Sequence, residues 1–160
     1  MNATRVKVAI ISCGLLVAGT AAANKPGRTY RANRGRIVFQ QTPFASFSTE
    51  KQFRKIVRKA RRNKVLRRGK GGTWVFHFIA FMRRAPKATK VNLVWYRRGK
   101  KREQVDYTEF TVPPNEVTLQ AKTTLSDAQG FKPGDRLEAR VTRLVNGREK
   151  IYARCRLKLK

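Results

Sequence analysis

One histidine, two cysteines and nine acidic residues in a chain of 160 leave little material for catalysis. A metal centre draws three or four ligands from His, Cys and carboxylates. His77 and Cys155 stand 78 positions apart, so neither a metal site nor a catalytic residue is expected. His77 lies between Phe76 and Phe78 in an apolar stretch, which predicts a packed core imidazole rather than a general base. Paired with Cys155 it would still lack a third, orienting group. The acids converge on nothing. Glu103 and Glu109 share one face of a predicted strand and Asp106 takes the other, beside Arg97, Arg98, Lys100, Lys101 and Arg102. Cross-strand ion pairs worth ~0–1 kcal/mol each are the expectation there, and Asp135 and Glu138 read as ordinary surface residues. The chain is read as non-enzymatic, with no cofactor and no small-molecule substrate.

Long hydrophobic runs are also missing. The longest, Val8 to Ala18, is short of the ~20 residues that a membrane-spanning helix needs. It follows Arg5 and Lys7 and precedes Gly19, Thr20, Ala21, Ala22 and Ala23. A basic end, an apolar middle and a small-residue A-x-A site are the order of a secretory signal peptide. Residues 1–23 are therefore read as a signal peptide cleaved between Ala23 and Asn24, and the protein as exported, to the periplasm or outside the cell. An uncleaved anchor and lipoprotein processing at Cys13 are the alternatives. Cys13 comes early for the latter, since Leu15-Leu16-Val17-Ala18 continues the apolar core after it.

After cleavage only Cys155 remains, so no internal disulfide can form. A mature chain of this length can bury a core without one. Cys155 is expected as a buried thiol on an apolar face with Ile151, Ala153 and Leu157, the alternative being a bond between chains.

Positive charge is what the chain has in excess. The formal net charge is +29, or +27 without Arg5 and Lys7. Between Asn24 and Arg102 there are 25 Lys or Arg and a single acid, Glu50. A net charge so far from zero destabilises the compact state by self-repulsion, and a polyanion relieves it. The candidate partners are nucleic acid, lipopolysaccharide, acidic polysaccharide or an anionic membrane surface. Basic drift of a whole proteome, with no dedicated ligand, is the alternative.

Residues 24–36 have almost nothing apolar and read as a flexible basic arm. Residues 37–160 are expected to form one β-sandwich domain with a helix at about 49–62. Thr49 and Gln52 have capping-box spacing. Phe53, Ile56, Val57 and Ala60 then recur on one helical stripe, leaving a cationic outer face. Around the helix, strands are predicted at 35–39, 73–82, 91–96, 104–112, 117–125, 136–145 and 148–159. The stretch Trp74–Met82 is apolar on both faces and should be covered twice, once by the opposing sheet and once by the helix. Asn146-Gly147 suits the positive φ angles of a type I′ hairpin turn. Gly69-Lys70-Gly71-Gly72-Thr73 has half the order of a phosphate loop but precedes a strand, so it reads as a flexible connection. Short strands with frequent turns predict an antiparallel β-sandwich of immunoglobulin-like or C2-like layout, without the Cys…Trp…Cys spacing of true immunoglobulin domains.

Thr42-Pro43-Phe44, Thr73-Trp74-x-Phe76 with Phe78, and Val91-Asn92-Leu93-Val94-x-Tyr96 resemble uncharacterised exported β-sandwich proteins of myxobacterial type, over most of the mature chain. The resemblance implies a fold and an address. It carries no activity and no site residues.

The candidate binding residues are Lys51, Arg54, Lys55, Arg58, Lys59 and Arg62 on the helix and Arg67, Arg68 and Lys70 in the loop after it. The arm at 25–36 and the 97–102 hairpin are possible extensions. Such a surface follows an anionic polymer by charge without reading it. The second reading is a structural or assembly protein of the cell envelope that binds another protein, for instance by strand addition at an open sheet edge.

Overall fold

A computed structural model of the chain describes residues 27–69 and 71–160. The expected signal peptide, its cleavage point and Lys70 lie outside them. The described chain runs α1 (Arg28–Asn33), β1 (Arg36–Gln40), α2 (Glu50–Ala60), β2 (Val65–Leu66), β3 (Thr73–Phe81), β4 (Lys90–Arg98), β5 (Arg102–Thr111), β6 (Thr118–Ser126), β7 (Arg136–Val145) and β8 (Arg148–Leu159). A short 3-10 turn, Asp127–Gln129, follows β6.

The expectation of a mainly β protein holds. Its finer form changes: all eight strands belong to one sheet, in the order β5-β4-β7-β8-β1-β3-β6, with β2 beside β8. The sheet is mixed, because β1 and β2 both run parallel to β8. It curls like half a barrel, which the aromatic contacts show directly. β3 and β4 are separated by three strands, yet Phe76 meets Trp95 edge-on at 5.7 Å. Phe78 likewise meets Phe110 on β5 at 5.6 Å. Inward residues alternate along each strand, as a pleated strand with one face toward a core requires. Phe131, fully buried, fills one end against Trp95.

β1 and the second half of β3 are covered on both faces, as the unbroken apolar run in β3 predicts. Ile37, Phe39, Phe76, Phe78 and Ala80 face the inner core. Val38, Ile79 and Phe81 face outward, where Val57, Ala60 and Phe53 of α2 close over them. Burying a Val or Phe side chain in this way is worth ~1.5–3 kcal/mol. The helix starts where its sequence says: Thr49 Oγ1 accepts the Gln52 N–H and the Gln52 side chain returns to the Thr49 N–H, a complete capping box.

Three local expectations change. Residues 28–33 of the expected flexible arm are the helix α1. It is tied down by Tyr30, which donates to the Met82 carbonyl at 2.5 Å, and by Glu50, which accepts the Thr29 N–H at 2.7 Å. The stretch after α2 is no simple loop, since β2 pairs with the end of β8. In β8, a bulge opposite Val141/Thr142 adds Tyr152 to the strand. The bulge reverses the alternation beyond it. Cys155, Ala153 and Leu157 keep to the inner face, but Tyr152 takes the inward place and Ile151 drops out of that set. The Asn146-Gly147 turn is as expected, with φ of 51° and 73°.

Candidate anion-binding surface

α2 carries five cations on the side away from the sheet, and the turn that ends it adds Arg61 and Arg62. Its apolar stripe is spent on β1 and β3, so Lys51, Arg54, Lys55, Arg58, Lys59, Arg61 and Arg62 are all left exposed. Residues four apart on a helix are neighbours, and Lys51/Lys55, Lys55/Lys59, Arg54/Arg58 and Arg58/Arg62 are like-charged pairs at that spacing. Each such pair costs ~0.2–0.5 kcal/mol.

No acid offsets this charge. All nine acids are described, and each has a partner away from the cationic face of α2. Glu50, at the first turn where a helix favours negative charge, holds the Thr29 N–H. Glu103 and Asp135 hold Arg97, and Glu109 holds Lys90. Asp106 accepts from Gln129, and Glu116 accepts from Thr118. Asp127 holds Arg68. Glu138 and Glu149 hold Arg140. Among the described residues, no ion pair includes a cation of α2.

Two clefts lie along this face. One, of ≈ 290 Å³, has Ile56 with Lys55, Arg58, Lys59 and Arg62 around it. The second, of ≈ 340 Å³, opens between the end of α2, the end of β1 with the residues after it, and β2, and is lined by both Lys59 and Arg67. Arg67 is placed through its own backbone, which the Gln41 side chain grips: Nε2 donates to the Arg67 carbonyl at 2.7 Å and Oε1 accepts the Arg67 N–H at 3.2 Å. Arg68 points elsewhere. It pairs with Asp127, donates to the Gly72 carbonyl at 2.9 Å and stacks over Trp74 at 5.3 Å. Of the candidate residues, Lys51, Arg54, Lys55, Arg58, Lys59 and Arg62 therefore share one helix face, Arg67 joins them across a cleft, Arg68 is internally engaged, and Lys70 lies outside the described residues. Arg97 of the 97–102 hairpin is taken up as well, by Asp135, Glu103 and the Gly130 carbonyl.

His77 is not the core imidazole expected. It is half-buried on the outer face of β3, paired in register with Gln40 and Lys122. Partial burial first, and the Lys122 charge second, hold its pKa below the ordinary value. Among the described residues, no group of three or more His, Cys, Asp or Glu could hold a metal ion, and no helix is long and apolar enough to cross a membrane.

Sequence reasoning missed a charged cluster on the outer face of β4, β7 and β8. Glu138, expected at the surface, is not there, at 2% exposed; Asp135 stands at the entry to β7 as expected, half-buried, and grips Arg97 at 3.1 Å and 3.2 Å. Arg140 donates to Glu138 at 2.8 Å and to Glu149 at 3.1 Å, and its guanidinium lies 4.7 Å from the centre of the Tyr96 ring. Arg102 approaches the same ring at 5.8 Å. Tyr96 donates to Glu149 at 2.8 Å, and burial together with that hydrogen bond pushes its pKa up to about 12. The cluster is internally satisfied, so it reads as structure.

No protein-family model and no curated protein matches this chain.

Proposed function

We propose that this chain is an exported, non-enzymatic binding protein for an anionic polymer or cell-envelope surface, acting through Lys and Arg electrostatics. The observation that carries this reading is the seven-cation face of α2 and the turn that ends it, with every acid of the chain engaged elsewhere. A fold that leaves four like-charged pairs uncompensated along one helix and its closing turn gains from an external counter-ion. Binding of this kind releases condensed counter-ions, so affinity falls linearly with the logarithm of salt concentration. The export part rests on Arg5, Lys7, the apolar run 8–18 and Ala21-x-Ala23, and agrees with the address implied by the resemblance to exported myxobacterial-type proteins.

The test is a salt series with the purified protein on DNA, lipopolysaccharide and an acidic polysaccharide. A steep loss of affinity with salt supports the proposal, and equal binding at low and high salt sinks it.

A second reading is favoured by the sheet edge. β6 ends the strand order and pairs with β3 over nine residues with no bulge, and Lys122 is its only charged residue. Natural edges are usually blunted by charges or bulges, as β5 is by the bulge at Val105, opposite Trp95/Tyr96 of β4. An edge left open suits an added strand from an envelope protein. Stable, salt-insensitive capture of a protein partner, lost when a proline replaces Gln120, would favour it.

A further inference from the structure

We infer that the two clefts beside α2 form one track for an acidic polysaccharide, a sugar chain bearing carboxylate or sulfate groups, with Lys59 at its middle. The inference rests on the polyanion reading above and narrows its ligand class. Lys59 lines both clefts, so they adjoin at its side chain. The first offers four cations around the half-buried Ile56, an apolar floor suited to the C–H face of a sugar ring.

The second cleft adds hydrogen-bonding groups that a bare phosphate site does not need. Asn63 uses its NH2 on the Phe39 carbonyl at 2.8 Å, and Gln40 uses its own on the Pro43 carbonyl at 2.9 Å. Those bonds stiffen the walls and leave each amide with its carbonyl oxygen and one further N–H. Among the described residues, Gln40 Oε1 and Asn63 Oδ1 accept no hydrogen bond, and the exposed Thr42 lines the same cleft. Acceptors between cations match a ligand that carries hydroxyl donors between anions, which is what an acidic sugar chain presents at every residue.

The competing polyanions fit less well. Single-stranded nucleic acid gains from stacking on exposed aromatics, and neither cleft has one: Phe39, the only ring that lines either, is 2% exposed. An anionic bilayer calls for exposed apolar side chains beside the cations. Of the exposed large hydrophobics, only Phe47 reaches α2, stacked on Phe53 at 4.4 Å, and neither it nor Tyr107 or Leu144 lines a cleft.

The experiment compares binding of the full chain to a polygalacturonate oligomer, a DNA oligonucleotide of equal charge and phosphatidylglycerol vesicles, at one low salt concentration. Thr42→Val removes a hydroxyl and no charge; Lys59→Gln removes the shared cation. The track predicts that polygalacturonate binds most tightly and that Lys59→Gln weakens it by about tenfold. Thr42→Val should weaken polygalacturonate by about threefold, the size of one hydrogen bond, and leave DNA unchanged. Tighter binding of DNA or vesicles, or a Thr42→Val effect that is absent or equal for DNA and polygalacturonate, overturns the track while the polyanion reading stands. Binding of none of the three overturns both.

Discussion

Glu138 and Arg140 sit two residues apart on one face of β7, carboxylate to guanidinium at 2.8 Å, with side chains 2% and 6% exposed. Among the described residues, no helix or second sheet is found over them. Long neighbouring side chains cover them: Tyr96 from β4, Arg102 from β5, and Arg156 and Glu149 from β8.

Removing one partner from a buried pair leaves the other charge stranded, at a cost of ~3–5 kcal/mol. Because Glu149 still reaches Arg140, Glu138→Gln should cost ~3 kcal/mol, read from denaturant unfolding at pH 7. Burial works to raise the Glu138 pKa, but the Arg140 hydrogen bond and the charges of Arg140, Arg102 and Arg156 outweigh it and hold the carboxyl below its ordinary value. A depressed carboxylate contributes stability that is full above the unfolded pKa of about 4.3 and is lost as pH falls through the folded one. The stability gap between the native chain and Glu138→Gln should therefore narrow below about pH 4. A gap that stays constant down to pH 2 would contradict the assignment.

Cys155 packs partly buried against the inner core, and burial pushes its thiol up to about 12. At pH 8 the reactive thiolate is then on the order of one part in 10⁴. Native protein should react with a thiol-specific reagent orders of magnitude more slowly than unfolded protein. Labelling at equal rates would show that the thiol is free in solution.

The cationic face of α2 stores repulsion. Changing Lys51, Lys55, Arg58 and Arg62 to Gln removes the four like-charged pairs at four-residue spacing and should stabilise the ligand-free protein by ~1 kcal/mol at low salt. That gain should shrink as salt is added. Thr49→Ala acts in the opposite direction, costing ~1 kcal/mol through the lost cap. Thermal unfolding at two salt concentrations separates the two effects, and a quadruple variant less stable than the native chain would mean those residues hold the fold.

Much of this was legible in the residues. The helix, its capping box, its apolar stripe and the Asn146-Gly147 hairpin depend on neighbours within a few positions, and so did the cationic face. What escaped depends on register between distant strands. Glu138, Arg140 and Thr142 alternate like a solvated face; only the pairing of β7 with β4 and β8 brings Tyr96 and Arg156 over them. Ile151 was misplaced because the bulge at Tyr152 shifts the two-residue period, and no local residue type announces it. The sequence puts His77 in the core because β3 is apolar on both faces. α2 covers Ile79 and Phe81 on the outer side but leaves His77 half-open. The sandwich reading erred for the same reason: strand order is set by long-range pairing, and the parallel pairings of β1 and β2 with β8 have no local signature. The second cleft was invisible because Gln40, Thr42, Asn63 and Arg67 converge from separate segments.

The most direct test of the central claim compares two charge-matched variants in a salt series on an acidic polysaccharide. One carries Gln at Lys51, Lys55, Arg58 and Arg62; the other carries Gln at the exposed Lys100, Lys101, Lys132 and Arg148, away from α2. A specific cationic face predicts that the first loses affinity and shows a shallower dependence on the logarithm of salt concentration, while the second stays near the native chain. Equal losses in both would show that only net charge matters and would contradict a binding face on α2.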